Sequence, residues 1–500
     1  MIALAICWLA LFRASIAAGD LILRFLGASP EEDDYWFISF WVGLLTIAAV
    51  VLAVVPFAPA YYAAPLLLLG LYTRTPATPG VFWPVAAAAT YVSSGPVRLY
   101  DTALYHQPAI DWMSTHGLVP GLALVHFRFG FTSSWLAITS LFNVGPLHLR
   151  AGVVVTGLAI AVALTQWISL YRRNNSPETR FYLAGLPLLL LFLFFDSAIV
   201  SPSPNLGAGL AVFTGIWMLL RSPSHAAGAV MAAGAMAVKL SAAPLLLAAL
   251  SGAPRRLRTL ALAGALTVPF LLANFWTTRC PLFPAAFACV ESPRGLPSAQ
   301  VRRIAYETLN WARYAGPYPR AVEYSSFAWV PHYLSSRRNA VVAFFVVVSL
   351  TGLLMRRQLN LAVLAAVLGS LYVYAAAPDP RFGIGFLVAL PALVLPALPL
   401  PRLSRTTLTL MLAALLTIGA MAGEWVSNRN SPDDRYKPTI VRLLLPSPAW
   451  TPSQAHVPFE HNGVRFYRPP EADRCGAAPL PCTPYSLPPS LKRCGRGWCR

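Results

Sequence analysis

Six ionisable side chains stand where chemistry could be done, and Asp101 leads them. The stretch YDTALYHQPAIDWMSTHGLVPGLALVHFRFGFTSSW, residues 100–135, opens with this acid and adds His106, Asp111, His116, His126 and Arg128. Three of the eight histidines of the chain fall in it. An acid beside His and Arg suits proton transfer or cation binding; its structural alternative is to cap a helix over 102–116. Asp111 lies five residues from His106, an imperfect match to one helical face, and the histidines either line a site or are satisfied structurally. Further along, Asp196 leads into Ser201-Pro-Ser-Pro-Asn205, as a second wall of a site or as a capped helix junction. Lys239 in GAMAVKLSAAPLLLAAL is a lone lysine among apolar residues. It snorkels, or it meets a phosphate as a point charge. Arg381 follows Asp379 in APDPRFG; the two form a structural pair, or the arginine offers its planar fork to a diphosphate.

The elements that position these residues are membrane-filling. The chain has 57% hydrophobic and 11% charged residues and a mean hydropathy of +0.58, where a soluble domain carries about 25% charged residues. The pattern predicts an all-α polytopic membrane protein, because lipid cannot satisfy backbone polar groups. Apolar runs predict about fourteen crossings, with cores near 2–27, 36–57, 61–73, 81–97, 152–171, 181–200, 206–221, 226–238, 240–252, 258–275, 339–355, 359–376, 383–400 and 406–423. Arg13, inside the first, snorkels or pairs with Asp20, and that segment lacks the basic start and cleavage site of a signal peptide. With 98–150 outside, Arg74, Arg172, Arg173, Arg221, Arg255, Arg256, Arg258, Arg356, Arg357, Arg402 and Arg405 all fall inside, as positive-inside orientation requires. The acidic run Glu31, Glu32, Asp33, Asp34 also falls inside.

Outside lie two long loops and a tail. Loop 98–150 is expected to hold interfacial helices over 102–116 and 135–150, and loop 277–338 to fold into a cap. Residues 1–423 form the bundle and 424–500 a Pro- and Cys-containing appendage. Cys280 and Cys289 share the second loop; Cys475, Cys482, Cys494 and Cys499 share the tail. Even groups outside point to disulfides in an oxidising compartment, with the tail's connectivity open. The net charge of +19 reflects inside-loop arginines and a basic tail, so it points to membrane lipid and not nucleic acid. No internal repeat, Walker loop, Rossmann glycine pattern, HExxH motif or nucleophile elbow occurs.

The motifs YDTALYHQPAIDW, VPGLALVHFRFGFTSSW, CPLFPAAF, NWARY, APDPRFGIG and PLPCTPY together resemble a group of bacterial polytopic membrane proteins whose layout is similar to the GT-C glycosyltransferases. That resemblance implies a glycosyltransferase at the external, periplasmic face of the inner membrane. Its donor is a sugar on a polyprenyl-phosphate carrier, and its acceptor a cell-envelope glycan, lipid or protein. It gives Asp101 the part of the base that activates the acceptor, Lys239 and Arg381 the donor phosphate, and His106, His126 and Arg128 the pocket lining, with Asp111, Asp196 and Asp379 nearby. A divalent cation, Mg or Mn, serves some members only, and Asp101 is the residue that would hold it. The departure lies in the acids: many GT-C enzymes carry a pair after the first crossing, whereas Asp101 follows the fourth and stands before Thr102. Two other readings stand beside this one, a transporter or flippase of lipid-linked or polyanionic solutes, and a polysaccharide polymerase or ligase using the same carrier. Polar groups gathered at one face, without related halves, favour the enzyme over the transporter.

Overall fold

A computed structural model describes residues 2–27, 34–72, 78–95, 97, 99–173, 176–221, 225–253, 257–314, 316, 327–357, 359–395, 456–469 and 473–500. Arg74, Arg255, Arg256, Arg402, Arg405, Glu31, Glu32 and Asp33 lie outside these, as do the 406–423 crossing and the start of the tail, 424–455. The described residues form 17 α-helices, and two small antiparallel sheets in the tail that the all-α expectation did not include.

Among the described residues six helices are long and apolar enough to cross a membrane: Ala3–Phe25, Tyr35–Val54, Gly152–Tyr171, Pro177–Phe195, Leu257–Thr278 and Arg337–Arg356. The chain is therefore a multi-pass membrane protein, but not one of fourteen crossings. A helix rises 1.5 Å per residue, so about 20 residues are needed to cover about 30 Å of hydrocarbon. The other apolar runs give shorter helices, such as Phe82–Ser93 with 12 residues and Ile384–Val394 with 11. Several are buried on most sides, and their apolar composition reports that burial.

The elements over 60–72 and 82–93 illustrate the point, because both reach the first helix midway along its length. Arg13 Nε donates to Gly70 O at 3.0 Å, and Phe12 stacks on Phe82 at 4.5 Å between ring centroids. Arg13 is thus satisfied by a backbone carbonyl and not by Asp20, which instead meets Arg24 and Tyr35. Helices Ile2–Phe25 and Tyr35–Val54 cross at bare backbone. A Cβ on Gly43 would stand 1.7 Å from Ser15 O, so only glycine allows this approach.

The Gly152–Tyr171 helix fixes the two ends of the bundle. Near its start Thr156 Oγ1 donates to Ser201 O at 3.1 Å, and Ser201 Oγ meets Thr102 Oγ1 at 2.6 Å. Near its far end Gln166 and Arg173 both donate to Asp34 at 2.7 Å, with Arg221 as a third partner. Asp101 and Asp34 therefore mark opposite ends. At the Asp34 end Arg258 also reaches Phe25 O and Arg356 reaches Val394 O.

The helices expected to lie in the interface do not. Gln107–Thr115 and Ser134–Ser140 are buried almost throughout, packed against each other and the bundle. They are short helices inside an inward-folded loop. Loop 277–338 does form a cap: the Ser298–Tyr314 helix packs over a small core of Ala123, Phe283, Leu296 and Ile304, closed by Cys280–Cys289. The tail carries Cys475–Cys482 and Cys494–Cys499. Gly476 N donates to Ala103 O at 2.7 Å, Trp498 N to Pro120 O at 2.9 Å and Arg500 N to Pro293 O at 2.8 Å, so the tail rests on both loops.

Candidate functional site

At the Asp101 end an alternating series of acids and arginines is assembled from four distant parts of the chain. Asp101 does not cap a helix with its side chain. It precedes a π-helical turn, Thr102–His106, and its Oδ2 lies 3.3 Å from Arg381 Nη1. Such wide turns recur at functional sites. Arg381 sits in the turn Pro380–Phe382, which Asp379 caps: its Oδ1 accepts from Arg381 N at 3.0 Å. Asp379 Oδ2 also lies 3.4 Å from Arg381 Nε. Arg338 then continues the series, reaching Asp379 Oδ2 at 3.1 Å and Asp196 Oδ1 at 3.3 Å. Lys239 donates to Asn205 Oδ1, and its Nζ lies 4.4 Å above the Phe382 ring. From the cap, Trp311 covers Arg381 at 4.6 Å.

Burial alone would keep the Asp101 carboxyl protonated longer. Arg381 first, then His106, Arg128 and Lys239, outweigh it and hold Asp101 below its ordinary value. Burial pushes the Lys239 amine down to about 7, with Arg381 adding to the effect. Burial likewise lowers His106 to about 4 and His126 to about 3, so both rings are neutral at pH 7. Asp196 is raised by burial to about 6 against the pull of Arg381 and Arg338. Three carboxylates, Asp101, Asp196 and Asp379, thus share the site with four cations, Arg128, Lys239, Arg338 and Arg381. Lys239, with its amine near 7, carries only part of its charge at pH 7, so the three arginines supply most of the cationic side. A small pocket beside Arg381 is lined by Asn205, Gly209, Ser241, Phe382, Gly383 and Gly385.

A family model described as a domain of unknown function, DUF8201, matches residues 71–388. The chain belongs to the DUF8201 family. No curated protein and no solved structure matches the sequence. The DUF8201 region holds the whole acid–arginine series from Asp101 to Arg381, while the tail lies beyond it.

Within this DUF8201 chain, Asp101, Asp196, Lys239, Asp379 and Arg381 are brought together, with His106 and Arg128 close enough to act on Asp101 electrostatically. The Asp379–Arg381 pair is present, and Arg381 serves Asp101 as well. His126 stands further out: its Nδ1 accepts from Arg128 N at 3.3 Å and its ring meets Tyr485 of the tail at 5.0 Å. Asp111 pairs elsewhere. Its Oδ1 accepts from Asn143 at 2.8 Å and Gln107 at 2.9 Å, with His148 at 3.8 Å. Asp34, of the acidic run after the first helix, is engaged by Arg173 and Arg221 at the other end.

Arg338, which joins two buried acids, was not among the candidates from sequence. Its partners are 142 and 41 residues away, and no local pattern marks it. Among the described residues no three His, Cys, Asp or Glu side chains gather as a metal site. Asp101 itself faces Arg381, Arg128 and Lys239, surroundings that oppose a divalent cation.

Proposed function

We propose that this protein is an integral membrane glycosyltransferase. It moves a sugar from a polyprenyl-phosphate-type lipid donor to an acceptor at the external, periplasmic face of a bacterial inner membrane. The observation that carries the reading is an ionised Asp101 paired with Arg381 in a cation-rich cluster at one end of the bundle. A lipid phosphate is tethered at the membrane surface, so its binding groups belong at helix ends.

In the proposed reaction the acceptor hydroxyl attacks the anomeric carbon and passes its proton to an Asp101 carboxylate oxygen. The bond between that carbon and the phosphate oxygen breaks, and its electron pair leaves with the lipid phosphate. Negative charge grows on the departing phosphate, where Arg381 and Lys239 stand as cations in a site largely shielded from water. Asp379 and Arg338 act one step back. Asp379 holds Arg381 by its backbone N–H and lies beside its Nε, and Arg338 adds a cation between Asp379 and Asp196. Among the described residues the cluster favours an anion and offers a divalent ion no ligand set, so no step is routed through a metal.

The test uses the purified full chain in lipid nanodiscs and a panel of radiolabelled polyprenyl-phosphate and polyprenyl-diphosphate sugars. The expected result is transfer of label to an envelope acceptor from at least one donor. No transfer from any donor, together with movement of intact labelled lipid across a proteoliposome bilayer, would replace the enzyme by a flippase.

A further inference from the structure

The last hairpin of the chain, Lys492–Cys494 paired with Gly497–Cys499, has no part in the proposed reaction. It is closed by Cys494–Cys499 and anchored by Trp498, whose N–H donates to Pro120 O and whose ring packs on Phe466 at 5.2 Å. The segment 492–500 carries Lys492, Arg493, Arg496 and Arg500 and no acid. All four are exposed, and among the described residues no carboxylate forms an ion pair with any of them. Arg294 of the cap, also exposed, adjoins them: Arg500 N donates to the neighbouring Pro293 O, and Arg294 O lies beside Gly121 together with Trp498 O. Glu291, an acid near Arg500, accepts from Ser298 N at 3.0 Å.

The depth of this band follows from the helices beneath it. Tyr35–Val54 has 20 residues, about 30 Å, which matches the hydrocarbon core. Phe57, three residues past that end, therefore stands at head-group depth. Arg496 Nη1 donates to Phe57 O at 2.7 Å and Nη2 to His116 O at 3.2 Å. Around it lies an aromatic belt: Phe57 is 72% exposed, Tyr62 62% and Tyr61 48%, and Trp276, at the end of a second spanning helix, meets the Phe57 ring at 6.2 Å. Exposed aromatics at this depth mark the membrane–water interface. A stiff basic hairpin set directly above them faces lipid head groups, and acidic heads complement it.

We infer that the 492–500 hairpin binds the phosphate head groups of anionic phospholipid in the leaflet at the Asp101 end. The site is electrostatic and independent of turnover. Full-length protein in nanodiscs of equal phosphatidylcholine and phosphatidylglycerol is released into detergent, and the lipids it retains are counted by native mass spectrometry. Wild type retains phosphatidylglycerol in preference. Lys492→Gln with Arg493→Gln reduces that preference by about fivefold per cation removed, and Arg493→Lys keeps it. Both side chains are exposed, so the melting temperature stays at the wild-type value. Should the double variant fail to fold, the wild type's preference must still fall as salt is raised. Equal retention of the two lipids by wild type, or an undiminished preference in a folded double variant, overturns the site. So does loss of binding to a soluble acidic polysaccharide, polygalacturonate, with the lipid preference intact, which would assign the band to a glycan.

Discussion

Arg338 joins two of the buried acids directly. It serves Asp196 with one nitrogen and Asp379 with the other, and it is the group between them that neutralises two buried charges. Arg338→Gln leaves both acids short of a charged partner, and a loss of about 1–3 kcal/mol in stability is expected, read as a lower thermal midpoint in detergent. An unchanged midpoint would mean that the pair is solvated and does not hold the cluster together. Lys239 makes a different prediction. Burial lowers its amine to about 7, so the charge offered to a phosphate is present below that pH and fades above it. Donor affinity should therefore weaken as pH rises through about 7, and Lys239→Arg should flatten the profile, because a guanidinium stays charged. A wild-type profile already flat from pH 6 to 9 would remove Lys239 from the donor site.

Among the elements, the tail shows how a covalent staple supports the site. Cys475–Cys482 closes a short loop from which Thr483 donates to Val125 O at 2.8 Å and Tyr485 packs on His126. Replacing both cysteines with serine should cost the loop about 2 kcal/mol, close to thirtyfold in its open fraction. Trypsin cleavage after Arg468 and Arg474 would then accelerate while the bundle stays intact; cleavage at the wild-type rate would contradict this. Much at this scale was legible in the sequence. The six cysteines of the second long loop and the tail pair within their groups, and the long loop 277–338 folds as a cap over Arg381. Helix length was not legible. Short apolar helices such as Ile384–Val394 are buried among other helices, and composition cannot tell a neighbour's side chains from lipid. Helix Gln107–Thr115 misled for the same reason, since its apolar residues face protein on every side. Arg338 was invisible because its acids come to it only in three dimensions.

In the whole molecule, charge is sorted between two ends. Arg173 and Arg221 converge on Asp34 at one, and the Asp101–Arg381 cluster, the cap and the tail occupy the other. The basic loops alone led to this division, because one helix, Gly152–Tyr171, is tied to Ser201 at its start and to Asp34 at its end. Its orientation is open to measurement. In a Cys7→Ser background, an impermeant maleimide applied to intact spheroplasts should label Arg302→Cys on the cap and spare Leu359→Cys beyond the Arg337–Arg356 helix. The reverse pattern would turn the site to the cytoplasm.

The proposed role of Asp101, to take a proton from the acceptor during sugar transfer, is tested most directly by comparing wild type with Asp101→Asn. Each is assayed for transfer from the best polyprenyl-phosphate donor and, separately, for binding of that donor. Transfer by Asp101→Asn is expected to fall by about 10²–10⁴-fold, with donor binding retained through Arg381 and Lys239. Equal transfer by the two proteins would show that Asp101 is not the base.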